Sequence, residues 1–128
     1  MKAVIKAILI IIAVLAVSVS VIIGGFIYQT EFKQNEVNTY FSDDGTYSLT
    51  IYQIGDPDWP FGKTDCRFVL YGSGGTISTK DFSVYNDGGN VFDDNFNVQW
   101  HEDNVSITVN GEEQSDRTYI LYFNGETE

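Results

Sequence analysis

Residues 46–71 read TYSLTIYQIGDPDWPFGKTDCRFVLY, and they decide the fold. In residues 46–54, Tyr47, Leu49 and Ile51 fall on one side of an extended chain and Ser48, Thr50 and Tyr52 on the other. In residues 65–71, Cys66, Phe68 and Leu70 alternate with Arg67, Val69 and Tyr71 in the same way. A period of two in β-branched and aromatic residues marks a half-buried strand. The loop between the two runs holds both prolines of the chain. Each proline fixes its own φ and biases the residue before it to extended geometry, so this loop is expected to be stiff.

The alternation recurs downstream. Residues 76–85 carry Phe82 and Val84, residues 96–100 carry Phe96, Val98 and Trp100, and residues 105–109 carry Val105, Ile107 and Val109. Residues 117–123 make the last strand. Turn-forming clusters separate these runs: Gly72-Ser73-Gly74-Gly75, Asn86-Asp87-Gly88-Gly89-Asn90, His101-Glu102-Asp103-Asn104, and an acidic loop from Asn110 to Asp116. Ser42-Asp43-Asp44-Gly45 turns the chain ahead of the first run, which leaves room for one more strand before it. Residues 41–128 contain no amphipathic helix, and residues 91–95 suit at most one short helical turn. Without helices there are no parallel crossovers. The predicted fold class is all-β, an antiparallel meander or small β-sandwich of 6–7 strands, preceded by one N-terminal transmembrane helix.

That helix is expected over residues 7–28, AILIIIAVLAVSVSVIIGGFIY, which carry no charge. A helix of this length spans about 33 Å, enough for a hydrocarbon core of about 30 Å. Apolar residues cover it on every side, unlike the stripe of a soluble helix. Lys2 and Lys6 precede it, which places the N-terminus in the cytoplasm and the rest of the chain outside. A cleaved signal peptide, with sites at Ala16-Val17-Ser18 or Ser18-Val19-Ser20, is the rival reading. The apolar run continues well past the usual ~7–15 residues of such a peptide, which favours an uncleaved anchor. The predicted organisation is a cytoplasmic N-terminus (1–6), a signal anchor (7–28), a juxtamembrane stalk (29–40) and an extracytoplasmic β domain (41–128). Residues 29–40 are polar without Gly or Pro, which leaves a helical extension and an irregular stalk both open.

Charge and residue usage narrow the function. The net charge of the chain is −11, and residues 29–128 hold all eighteen acids against five bases. Such a domain is repelled by phosphate backbones and anionic head groups, which argues against nucleic-acid binding. One Cys and one His exclude an intramolecular disulfide and any site built on two imidazoles. No catalytic residue, metal ligand or cofactor is assigned. Asp56 and Asp58, Asp43-Asp44, or Asp87 with Asp93-Asp94 do not reproduce a calcium-loop spacing. Cys66 is expected to be a buried, inert thiol, Arg67 to pair with an acid, and His101-Glu102-Asp103 to be solvated turn residues. Asp56, Asp58, Trp59 and Phe61 are the candidate binding residues, because a rigid loop presenting aromatics suits a partner's hot spot. The competing use of Trp59 and Phe61 is to cover an open end of the sheet.

Several phrases carry a resemblance: Asp58-Trp59-Pro60-Phe61-Gly62, Thr64-Asp65-Cys66-Arg67-Phe68, Asn86-Asp87-Gly88-Gly89, Val98-x-Trp100-x-x-Asp103-x-Val105, Gly111 through Asp116, and Tyr119-x-Leu121-Tyr122. Together they resemble small single-pass membrane-anchored proteins of Gram-positive, clostridial-type gut bacteria. The resemblance spans roughly residues 42–125 and implies a bacterial single-pass protein with an exposed β domain. It brings no activity and no functional residue with it. The expected function is a non-enzymatic binding or structural module on the outer side of the membrane, meeting a protein or envelope component. An anchored immunity protein against a toxin is the first alternative. A hydrolase of an envelope polymer is the second, because two carboxylates suffice for glycoside hydrolysis.

Overall fold

The computed structural model describes residues 1–128 apart from 59, 61, 113 and 128. Its N-terminal helix, α1, is Lys2–Ile27, and none of its residues is buried. It is long and apolar enough to cross a membrane. Ser18 and Ser20 donate to the carbonyls of Val14 and Ala16 at 2.9 and 2.8 Å, which satisfies both hydroxyls within the helix. A single π-helical turn, Tyr28–Phe32, ends the helix, with the Lys33 amide donating to the Tyr28 carbonyl at 2.8 Å.

Among the described residues, seven strands form two antiparallel sheets. The first sheet has the order β1 (Gln34–Phe41), β2 (Ser48–Ile54), β3 (Lys63–Gly72) and β4 (Gly75–Tyr85). The second has β5 (Phe96–Trp100), β6 (Asn104–Gly111) and β7 (Gln114–Tyr122). Strands adjacent in sequence are adjacent in space, so the chain is a plain meander folded once between β4 and β5. The inner faces share one core. Leu49, Ile51, Phe68 and Leu70 of the first sheet meet Val105, Ile107, Val109 and Leu121 of the second, all fully buried. This is the two-layer solution to burying two one-sided sheets.

β1 occupies most of the segment that the sequence leaves open between helix and stalk. Its pairing with β2 shifts register between Glu36 and Asn38, and the extra residue is Val37. Val37 and Tyr40 both pack on the core although they are three residues apart. A bulge makes that possible, because it adds one residue without turning the strand over. β7 likewise begins at Gln114, inside the loop expected to run to Asp116, since Gly111 pairs with Gln114 and tightens the hairpin.

Residues 86–95 carry the chain across the end of the sandwich nearest α1. Asp87 and Gly88 take φ values of 54° and 70°, which bend the chain sharply at Asn86-Asp87-Gly88-Gly89. A short 3-10 turn, Asp93–Asn95, then leads into β5. Buried Gln53 holds this crossing to the end of β2. Its amide nitrogen donates to the Gly55 carbonyl and to Asn90 Oδ1 at 3.1 and 2.9 Å, and its oxygen accepts from the Val91 amide at 3.0 Å. Asp93 accepts from Asn38 Nδ2 at 3.0 Å and from the Tyr40 hydroxyl, which closes the seam beside β1.

Candidate functional site

The sandwich is joined directly to the N-terminal helix. The Gly55 amide donates to the Lys33 carbonyl at 2.8 Å, and the Asp56 amide to the Thr30 carbonyl at 2.6 Å. The loop after β2 is therefore fastened to the π-helical turn, and β1 begins two residues beyond it.

Beside this junction lies an open groove of about 720 Å³ between β1, the loop after β2 and the crossing. Of the four candidate binding residues, Asp56 lines it and Asp58 is not among its lining residues. Trp59 and Phe61 lie outside the described residues. Glu36, Asp93 and Asp94 add carboxylates to the groove, and Phe92, 65% exposed, stands at its rim. Asp58 serves its own loop instead. Its amide donates to the Lys63 carbonyl at 2.9 Å and its carbonyl accepts from the Gly62 amide at 2.6 Å. Gly62 is required there, because a Cβ would sit 2.3 Å from the Asp58 Cβ. Among the described residues, no group of three His, Cys, Asp or Glu side chains converges as a metal site.

A second concavity, about 370 Å³, opens at the far end of the sandwich. Tyr47 just before β2, Trp100 at the end of β5 and Phe123 after β7 form its aromatic wall. Tyr47 and Phe123 stack at 3.8 Å with 8° between planes, and Trp100 continues the stack at 6.3 Å from Phe123. All three are half-buried against the core. Asp43, Asp44 and Glu102 line the same cleft with Ser42 and His101. Hydrogen bonds from the Thr46 amide and the Ser42 hydroxyl, both to Oδ1, hold the Asp44 carboxyl below its ordinary range. The Phe123 amide donates to the Asp103 carbonyl at 3.0 Å, which ties the segment after β7 to the β5–β6 turn. Sequence reasoning missed this cleft. The available signal was an aromatic residue at the border of each of three polar turns.

The remaining polar residues have structural work. Cys66 is buried in the core. Arg67 pairs with Asp81, its partner in the β3–β4 register, through Nε–Oδ1 at 2.6 Å and Nη2–Oδ2 at 3.2 Å. Burial tends to raise the Asp65 carboxyl, but hydrogen bonds from Lys63 and Ser83 outweigh it and hold the group below its ordinary range. His101 sits in the exposed β5–β6 turn, with Nε2 3.0 Å from Ser106 Oγ.

The Cys66 and Tyr52 protons are among those held more tightly in the folded chain than in the unfolded one. Burial, helped by the Asp65 charge, pushes the Cys66 thiol up to about 12. A hydrogen bond with Tyr71 and then burial push the Tyr52 hydroxyl up to about 12. The unfolded chain releases these protons near pH 8.5 and 10, so it binds fewer protons than the folded chain above those values. The stabilisation from these two groups is therefore full below about pH 8.5 and falls as pH rises toward 12. Melting temperatures followed from pH 8 to 11.5 check this. Cys66→Ala is expected to remove the part of the decline that starts near pH 8.5–9, and Tyr52→Phe the part that starts near 10. A flat profile in the parent chain would contradict both assignments.

Compared with known proteins, the chain matches no family profile, no curated protein and no solved structure at a significant level.

Proposed function

We propose that the chain is a single-pass membrane protein whose acidic β-sandwich stands outside the cell as a non-enzymatic recognition module. One observation carries this reading: a helix apolar on every face and buried nowhere runs, through a single π-helical turn, into a sandwich fastened to its end. A soluble helix of that composition would need protein cover that the sandwich does not supply. Lys2 and Lys6, in the first turns of the helix and ahead of its uncharged run, favour an N-terminus in the cytoplasm. Open acidic concavities with half-exposed aromatic walls suit contact with a partner, which is why binding is preferred to catalysis.

Cysteine labelling on intact cells tests the topology. Cys66 is buried and stays silent, so Glu126→Cys is expected to react with a membrane-impermeant maleimide on whole cells, and Lys6→Cys only after lysis. The opposite pattern, or release of the chain from carbonate-washed membranes, would overturn the reading.

A further inference from the structure

We propose that the cleft remote from the anchor receives an arginine or lysine side chain of a protein partner, laid against Trp100, Phe123 and Tyr47 and balanced by Asp43, Asp44 and Glu102. The inference rests on the recognition-module reading and adds the chemistry of the partner. The half-buried aromatic wall offers apolar and aromatic area, which the methylene stem and the cationic head of a lysine or arginine can use at once. The charge around the cleft fits one sign only. Residues 42–62, 81–116 and 118–128 contain no Lys or Arg, and the turns that build the cleft all come from those stretches. His101 is the one basic side chain lining it, and its Nε2 is engaged with Ser106. The Ser42-Asp43-Asp44-Gly45 turn is braced by five hydrogen bonds: Ser42 Oγ and the Thr46 amide to Asp44 Oδ1, the Gly45 amide to the Ser42 carbonyl, the Tyr47 amide to Ser42 Oγ, and the Ser42 amide to the Tyr47 carbonyl. A preformed acidic wall costs little ordering on binding. β1 leads from the helix end to this end of the sandwich over eight residues, about 26 Å at ~3.3 Å per residue, so the site lies well removed from the anchor.

The test pans a phage-displayed library of random linear peptides against the full chain in phosphatidylcholine nanodiscs. Enriched peptides are expected to carry Arg or Lys. Their binding is expected to weaken at least tenfold when that residue is replaced by citrulline or norleucine. Asp43→Asn with Glu102→Gln, both exposed turn residues, is expected to weaken it to a similar degree, as is Trp100→Leu once shown to fold. Asp87→Asn with Glu112→Gln removes the same charge at the opposite end and is expected to change binding less than twofold. Equal losses in the two charge pairs would reduce the effect to the overall field and overturn the cleft assignment. Enriched peptides without basic residues would overturn it too, while leaving a recognition module in place. No enrichment over empty nanodiscs would overturn the cleft and the recognition module together.

Discussion

Phe68→Ala is expected to destabilise the β-sandwich by about 3–5 kcal/mol, the range for emptying a fully buried aromatic site. Phe68 lies on β3 with no exposed surface. Its ring stacks on Phe82 of β4 at 4.0 Å and meets the edges of Phe96 and Tyr119 in the other sheet at 6.2 and 5.6 Å. One side chain thus touches both layers at the point where their separation is set. Collapse around the void is limited, because the neighbours are themselves rigid rings held by paired strands. Against a total of about 5–15 kcal/mol for a domain, the loss is a large fraction of what holds it folded. Thermal melting followed by near-ultraviolet circular dichroism checks it, with a fall of more than about 12 °C expected at ~4–8 °C per kcal/mol. Phe41→Ala is the companion. Phe41 is 68% exposed on edge strand β1, so its loss is expected to stay within about 0.5 kcal/mol. A Phe68→Ala protein that melts with the Phe41→Ala protein would mean the two sheets do not share this core.

The contrast between Phe68 and the site residues explains what was legible in the sequence. Strands β2 to β7 show themselves because each keeps a period of two against the same core. Phe68, Ile107 and Leu121 each stand in such a run. β1 hides because the bulge at Val37 puts Val37 and Tyr40 on the same side at odd spacing, and because the rest of that edge strand is polar apart from the outward-facing Phe41. The two concavities hide for another reason. The loop sequence points to Asp56, but Glu36 joins it from β1, and Asp93 and Asp94 only through the crossing that Gln53 pins in place. Tyr47, Trp100 and Phe123 belong to three separate runs, so no local window holds the cleft. Local spacing reports which face of a strand is buried. It carries no record of which turns meet at the end of a sandwich.

Gly55→Ala is expected to free the N-terminal helix from the sandwich while leaving the core folded. Gly55 has φ +68°, and a Cβ there would lie 2.1 Å from the Thr30 carbonyl oxygen and 2.8 Å from the Glu31 Cα. Both are backbone atoms of the π-helical turn, so no side chain can rotate out of the way. The left-handed conformation alone costs about 1–2 kcal/mol for a residue with a Cβ. Relief of the clash requires the loop to withdraw, which breaks the Gly55–Lys33 and Asp56–Thr30 hydrogen bonds together. The Gln34–Ile54 end of the β1–β2 ladder then frays, and the peptide bond after Lys33 becomes accessible. Each ~1.4 kcal/mol off the local opening energy raises the open population tenfold, so trypsin is expected to cut after Lys33 at least tenfold faster in the variant. Gly45→Ala supplies the control: its φ is +72° with nothing within 4 Å of the new Cβ, at the opposite end of the sandwich. It carries the same backbone strain without the clash, and cleavage after Lys33 is expected to stay at the parent rate. Equal cleavage in parent and Gly55→Ala chains would show that the two hydrogen bonds do not hold the sandwich to the helix. If they do hold it, the far cleft keeps a fixed position relative to the helix, and a partner of the proposed kind would meet it without first ordering a flexible stalk. The geometry would then lower the entropy cost of recognition as directly as the braced turn at the cleft itself.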